Sequence, residues 1–153
     1  MKPTIAVLAL ALLLPCTSGA QSDAAVEDSA ITRTALNYVE GWYEGNAARM
    51  EQALHPELAK RMVYTDPRSG RSQLNQMSAM TLVQYTARGG GNKTPKDRQM
   101  KDVTILDRYN NVAMVKVVAA DWVDYLQEAK YNGEWKIVNV LWELKPKPAT
   151  KAE

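Results

Sequence analysis

Asn132-Gly133 stands between the run 125–131, which has a tyrosine at each end, and the run 135–144, rich in β-branched and aromatic residues. Asn-Gly supplies two consecutive residues that tolerate a positive φ, as the two-residue type I′ hairpin requires. That dipeptide therefore predicts two long antiparallel strands and fixes their register. Further β-rich runs precede them: 103–106, then Tyr109-Asn110-Asn111 as a turn, then 112–122. The last third of the chain reads as a four-strand antiparallel meander.

The middle of the chain has a different period. Ile31, Ala35, Tyr38, Val39 and Trp42 recur at steps of three and four, the stripe of an amphipathic helix. Gly45 ends it. Asn46 is placed to cap a second, shorter helix with Ala47, Met50, Ala53 and Leu54 on one face. Pro56 biases His55 away from helical geometry, so that helix is expected to end there. Residues 57–66 admit two readings, a helical turn over 57–61 or a strand over 60–65. Pro67-Arg68-Ser69-Gly70 is a turn by composition, which makes 61–66 and 71–77 a hairpin. Ser78 can cap a third helix carrying Leu82 and Tyr85, and Gly89-Gly90-Gly91 stops it. Helices followed by strands argue an α+β domain over residues 29–144.

The N-terminus carries its own signal. Lys2 precedes ten unbroken apolar residues, Ile5 to Leu14, and Ser18-Gly19-Ala20 offers a small-residue cleavage site. Residues 1–20 thus read as a signal peptide cut before Gln21. Ten apolar residues are too few for a membrane anchor, which takes about 20. Cys16 follows Pro15 rather than the small residue that lipidation prefers. Cleavage before Gln21 would leave a mature chain with no Cys, hence no disulfide or thiolate chemistry. The expected location is the periplasm or the cell exterior, with no membrane association after cleavage. Residues 21–28 read as a flexible lead-in, and 145–153, Pro- and Lys-rich, as a disordered tail.

The formal net charge of the 153-residue chain is only +2, with charges interspersed. Its basic stretches, Arg68 to Arg71 and Lys145-Pro146-Lys147-Pro148, lack the aromatic interleaving of a nucleic-acid surface, so no nucleic-acid partner is expected. Glycine spacing at 89–91 is not that of a phosphate-binding loop. A single His, His55, and no His/carboxylate spacing give no metal site, and no cofactor is implied.

Four stretches carry a family resemblance. They are Tyr38-Val39-Glu40-Gly41-Trp42-Tyr43-Glu44-Gly45, Leu54-His55-Pro56-Glu57-Leu58, Asp124-Tyr125-Leu126, and Gly133-Glu134-Trp135-Lys136-Ile137-Val138-Asn139-Val140-Leu141-Trp142. In these, and in element order, the chain resembles the nuclear transport factor 2-like superfamily, and within it the group labelled putative lumazine-binding proteins. The resemblance implies a cone: a curved antiparallel sheet wrapped around N-terminal helices, enclosing an apolar cavity. The superfamily hosts isomerases, dehydratases, cyclases, carriers and interaction domains, so the fold does not fix the function.

Two residues are candidates for proton transfer. His55 can act as a base near neutral pH, or simply meet helix-terminal carbonyls. Asp121 would face inward if the strand from Val112 ran on without a bulge, since alternation then aligns it with Val115, Val117 and Ala119. A carboxylate at the rim of an apolar cone holds its proton more tightly and can move it to and from a substrate. The alternative is a strand-end Asp that turns the chain, and Asp124 reads as a turn residue too. Tyr38, Trp42, Tyr64 and Trp142 are candidate ligand-binding residues, or core.

A final pattern bears on assembly. Strict alternation puts Ile137, Asn139 and Leu141 on one face of the last strand and Val138, Val140 and Trp142 on the other. Both faces are largely apolar, which calls for a second cover: an identical subunit, or the sheet's own twist and the tail. The expected protein is a non-catalytic, dimeric binder of a small apolar or aromatic molecule. An isomerase- or dehydratase-type enzyme using His55 or Asp121, with Tyr38 or Tyr64 as hydroxyl donor, and a purely structural module are the alternatives.

Overall fold

The computed structural model describes residues 18–146. A long helix, α1 (Ser18–Glu44), is followed by α2 (Ala47–Ala53), the hairpin β1 (Leu54–Thr65) and β2 (Ser72–Ser78), and α3 (Ala79–Ala87). Four strands complete the chain: β3 (Lys101–Tyr109), β4 (Val112–Ala119), β5 (Trp122–Tyr131) and β6 (Glu134–Leu144). They form one curved six-stranded sheet in the order β2-β1-β6-β5-β4-β3. Every neighbouring pair is antiparallel except β1 with β6, which run parallel and join the hairpin to the meander.

The predicted stripe of α1 is the core. Ile31, Ala35, Tyr38 and Val39 are buried, Trp42 is only partly buried while Tyr43 beside it is buried, and the helix packs on β3, β4 and β6. The Asn46 side chain accepts from the Arg49 amide at 3.1 Å and caps α2. Ser78 caps α3 in the same way, accepting from Thr81. Asn132 and Gly133 have φ of 50° and 85°, both positive as the type I′ turn demands.

Residues 21–28, expected as a lead-in, are helical and belong to α1. Partners hold that first half in place. Lys130 pairs with Glu27 at 2.6 Å and Arg108 with Asp28 at 2.9 Å, while Trp135 Nε1 donates to Glu27 at 2.8 Å. The expected cut before Gln21 would remove only the first three residues of α1. The rest of the predicted signal peptide, with Cys16, and most of the predicted tail lie outside the described residues.

Three strand details depart from the sequence reading. β1 begins directly at Leu54, and its pairing with β6 is irregular between Leu54 and Ala59, where Pro56 has no N–H to offer. β4 stops at Ala119, so Ala120 and Asp121 form the connection to β5, which starts earlier than expected, at Trp122. In β6, Gln127 faces Asn139 while Glu128 faces Ile137, which leaves Val138 as the extra residue of a β-bulge. The bulge shifts the alternation by one. Trp135, Ile137, Val140 and Trp142 therefore all pack with the core, whereas Leu141 is exposed. Strict alternation had separated Ile137 from Trp142.

A pocket of aromatics around a buried ion pair

The open end of the cone is walled by aromatic and aliphatic side chains from seven elements. Tyr38 and Trp42 come from α1, Met50 from α2, Lys60 from β1 and Met77 from β2. Leu82 and Tyr85 come from α3, Trp122 from β5 and Trp142 from β6. Together they leave a cavity of about 80 Å³ open to the centre of a water-sized sphere. Trp42 and Trp122 meet edge to face at 6.2 Å, and Tyr43 packs against Trp122 at a tilt, with ring centroids 5.8 Å apart.

The glycine run at the end of α3 sets the position of Trp42. Gly91 N donates to the Trp42 carbonyl at 2.9 Å. A Cβ on Gly90 would lie 2.6 Å from that carbonyl oxygen, and one on Gly91 would lie 2.6 Å from the indole ring. The loop can lie flat against the tryptophan only because both positions lack a side chain.

One polar cluster interrupts the apolar wall. Lys60 and Asp124 are 5% and 0% exposed. Lys60 Nζ donates to Asp124 Oδ1 at 2.6 Å and to the Tyr38 hydroxyl at 2.5 Å. Tyr38 OH donates to Asp124 Oδ2 at 3.1 Å, and Trp122 Nε1 donates to the same oxygen at 2.5 Å. The ammonium also lies over the Trp142 ring, 4.6 Å from its centroid. Burial lowers the pKa of Lys60, and the attraction of Asp124 opposes that shift without cancelling it. Burial and then Asp124 hold the Tyr38 phenol well above its usual value, so it stays protonated. The site is thus nearly neutral overall, with both charges paired internally.

Of the residues singled out in sequence, Tyr38, Trp42 and Trp142 line the cavity. Tyr64 is not among its lining residues; it sits near the tip of the β1–β2 hairpin, 44% exposed. His55 lies at the start of β1, where its Nδ1 accepts from the Glu57 amide at 3.2 Å and its ring packs edge-on against Tyr131. Asp121 is exposed in the β4–β5 connection, where its carbonyl accepts from the Lys145 amide. Neither candidate base lines the cavity. The carboxylate at the pocket is Asp124, read from sequence as a turn residue. It falls on the inner face because β5 starts two residues before it. Lys60 and Asp124 were both missed, although the match at Asp124-Tyr125-Leu126 had marked the second.

The family model for putative lumazine-binding proteins matches residues 26–143. The chain belongs to this family. Its fold is also that of nuclear transport factor 2-like structures from several bacteria. One, of unknown function, from Shewanella baltica is 18% identical, with a TM-score of 0.63 over 80% of this chain and 97% of that one. Another, from Methylobacillus flagellatus, is 20% identical, with a TM-score of 0.62 over 79% and 94%. A third, from Silicibacter pomeroyi, is 16% identical, with a TM-score of 0.61 over 80% and 98%. No functionally curated protein matches the chain. At these identities the likeness establishes the fold of this family member and leaves its ligand to the site itself.

Proposed function

We propose that this is an exported, homodimeric protein that binds a small aromatic molecule in the cone cavity without turning it over. The observation that carries the reading is a cavity walled by three of the chain's four tryptophans and two tyrosines, whose polar cluster is internally paired. Flat apolar walls favour a ring, and a few fixed polar groups orient it. The volume suits one ring, or two fused rings after modest opening. It falls below the roughly 300–1,000 Å³ of sites for larger ligands. The family description points to a pteridine-dione, which is flat and rich in acceptors.

The arrangement of the polar groups supports binding without turnover. Lys60, Tyr38 and Trp122 all donate to the two oxygens of Asp124, so the carboxylate's acceptor capacity is largely used. His55, the chain's only imidazole, packs outside the pocket on Tyr131. Proton abstraction next to a carbonyl by a carboxylate or an imidazole would need that group aimed into the cavity with its lone pairs free. Export rests on the leader-like N-terminus, and dimerisation on the apolar outer face of the sheet.

Titration with lumazine and with benzyl alcohol, followed by tryptophan fluorescence, tests the binding. Saturable quenching is expected, and Met77→Trp, which fills the cavity from β2, should abolish it while the circular dichroism spectrum persists. If neither compound quenches the wild-type protein, the cavity does not bind aromatic rings.

A further inference from the structure

We propose that Lys60 captures small aromatic aldehydes inside this cavity as a reversible imine. The inference rests on the binding reading above and adds the chemical class of the ligand. Its basis is the geometry around one amine. Lys60 is part of the cavity wall, and its side chain is 6% exposed. Its neighbours are the Asp124 carboxylate at 2.6 Å, the Tyr38 hydroxyl at 2.5 Å and the face of Trp142. An ammonium has three donors. Two are used by Asp124 and Tyr38, and the third is left for the tryptophan face or an entering acceptor.

Charge pairs in apolar surroundings bear the desolvation cost of both ions, and the neutral pair escapes it. Burial works in the same direction on Lys60. Asp124 Oδ1, 2.6 Å from Nζ, is placed to take a proton from the ammonium, and rotation about the Cε–Nζ bond then turns the amine lone pair toward the cavity. Desolvated lysines in hydrophobic pockets are nucleophiles for this reason. Tyr38 and Trp122 hold the other carboxylate oxygen and keep Asp124 aimed at the amine throughout.

The step balances without any co-reactant. The amine lone pair adds to the carbonyl carbon, and the displaced π pair gives an alkoxide that takes the proton held by Asp124. The new C–N nitrogen returns a proton to Asp124. The carbinolamine hydroxyl takes that proton and leaves as water while the nitrogen lone pair forms the C=N bond. The result is a protonated imine paired with the Asp124 carboxylate, in the place the ammonium held. Addition of water reverses every bond change. Aldehydes are favoured because the second substituent of a ketone would have to fit the same small space, and an aromatic ring stacks on the surrounding indoles.

The test uses the mature protein with benzaldehyde and sodium cyanoborohydride, which reduces an imine to a stable benzylamine. Peptide mapping by mass spectrometry then locates the label. The expected result is one benzyl group per chain on Lys60, formed about tenfold faster than on the exposed lysines. Lys60→Arg keeps the charge but forms no imine, and should lose that label while melting cooperatively. Benzyl alcohol, which has the ring without the carbonyl, separates the two readings. If benzyl alcohol quenches the tryptophans while benzaldehyde labels Lys60 no faster than surface lysines, the imine is overturned and the binding site stands. If benzyl alcohol fails to quench and Lys60 stays unlabelled, both fall.

Discussion

Glu128 is buried among Ala113 and Ile137, its register neighbours on β4 and β6, and neither carboxyl oxygen meets a hydrogen-bond partner among the described residues. Burial raises its pKa to about 8 from an ordinary 4.5. A carboxyl group raised in this way binds a proton more tightly in the folded than in the unfolded chain. Its stabilising contribution is complete below about pH 4.5 and is lost as the pH climbs through about 8. The loss is at most about 5 kcal/mol. Glu27, held low by Lys130 and Trp135, and Asp66, held low by the Ser69 and Arg68 amides, titrate on the acid side and leave this window clear. Thermal melts should show the wild-type midpoint falling between pH 5.5 and pH 8.5. Glu128→Gln, which cannot ionise, should flatten that slope and melt higher than wild type at pH 8.5. A wild-type midpoint constant across the window would mean that Glu128 reaches solvent or a partner.

Among the elements, the loop after α3 connects sequence to site most directly. Gly90 has φ of +46° and lies against the Trp42 carbonyl, so Gly90→Ala adds both backbone strain and a steric clash. The expected cost is about 1–3 kcal/mol, read from a denaturant titration, with a shift in Trp42 emission. An unchanged midpoint would show that the loop can step away from Trp42 freely. The sequence announced this loop only as a helix stop, since three glycines say where a chain can turn but not what it leans on. The same boundary runs through the rest of the molecule. The α1 stripe, both side-chain caps and the Asn132-Gly133 hairpin were legible because each depends on neighbours a few residues away. Trp142 was put on the wrong face relative to Ile137 because a single bulge at Val138 inverts everything after it. Asp121 and Asp124 exchanged roles for a related reason: the point where β4 ends and β5 begins decides which carboxylate is buried. Lys60 lay in a stretch that read equally as helix or strand, and a buried lysine has no local signature. Its partner is 64 residues away.

At the scale of the whole molecule, the sheet has two faces with different occupants. The inner face holds α1 and the cavity. On the outer side Val63, Leu74, Tyr125 and Leu141 are exposed. Register places Tyr125 beside Leu141 and Val63 beside Leu74, so these side chains adjoin one another across strands. The dimer in the proposed function would use this face, pairing it with a second copy about a two-fold axis. Arg61 and Lys116 flank the patch through their pairings with Leu141 and Tyr125. They keep their charges in water at the rim while their stems extend the apolar surface. Light scattering should therefore report a dimer for the wild-type protein. Tyr125→Asp with Leu141→Asp should give a monomer with an unchanged circular dichroism spectrum, because both residues are exposed in the single chain. The monomer should still show benzyl alcohol quenching, since the cavity is walled by α1, α2, α3 and strands of the same chain. Loss of quenching on dissociation would instead make the cavity depend on the partner subunit, and would move the binding site from the cone to the assembly. A wild-type monomer would leave the outer face uncovered and remove the dimer from the proposed function.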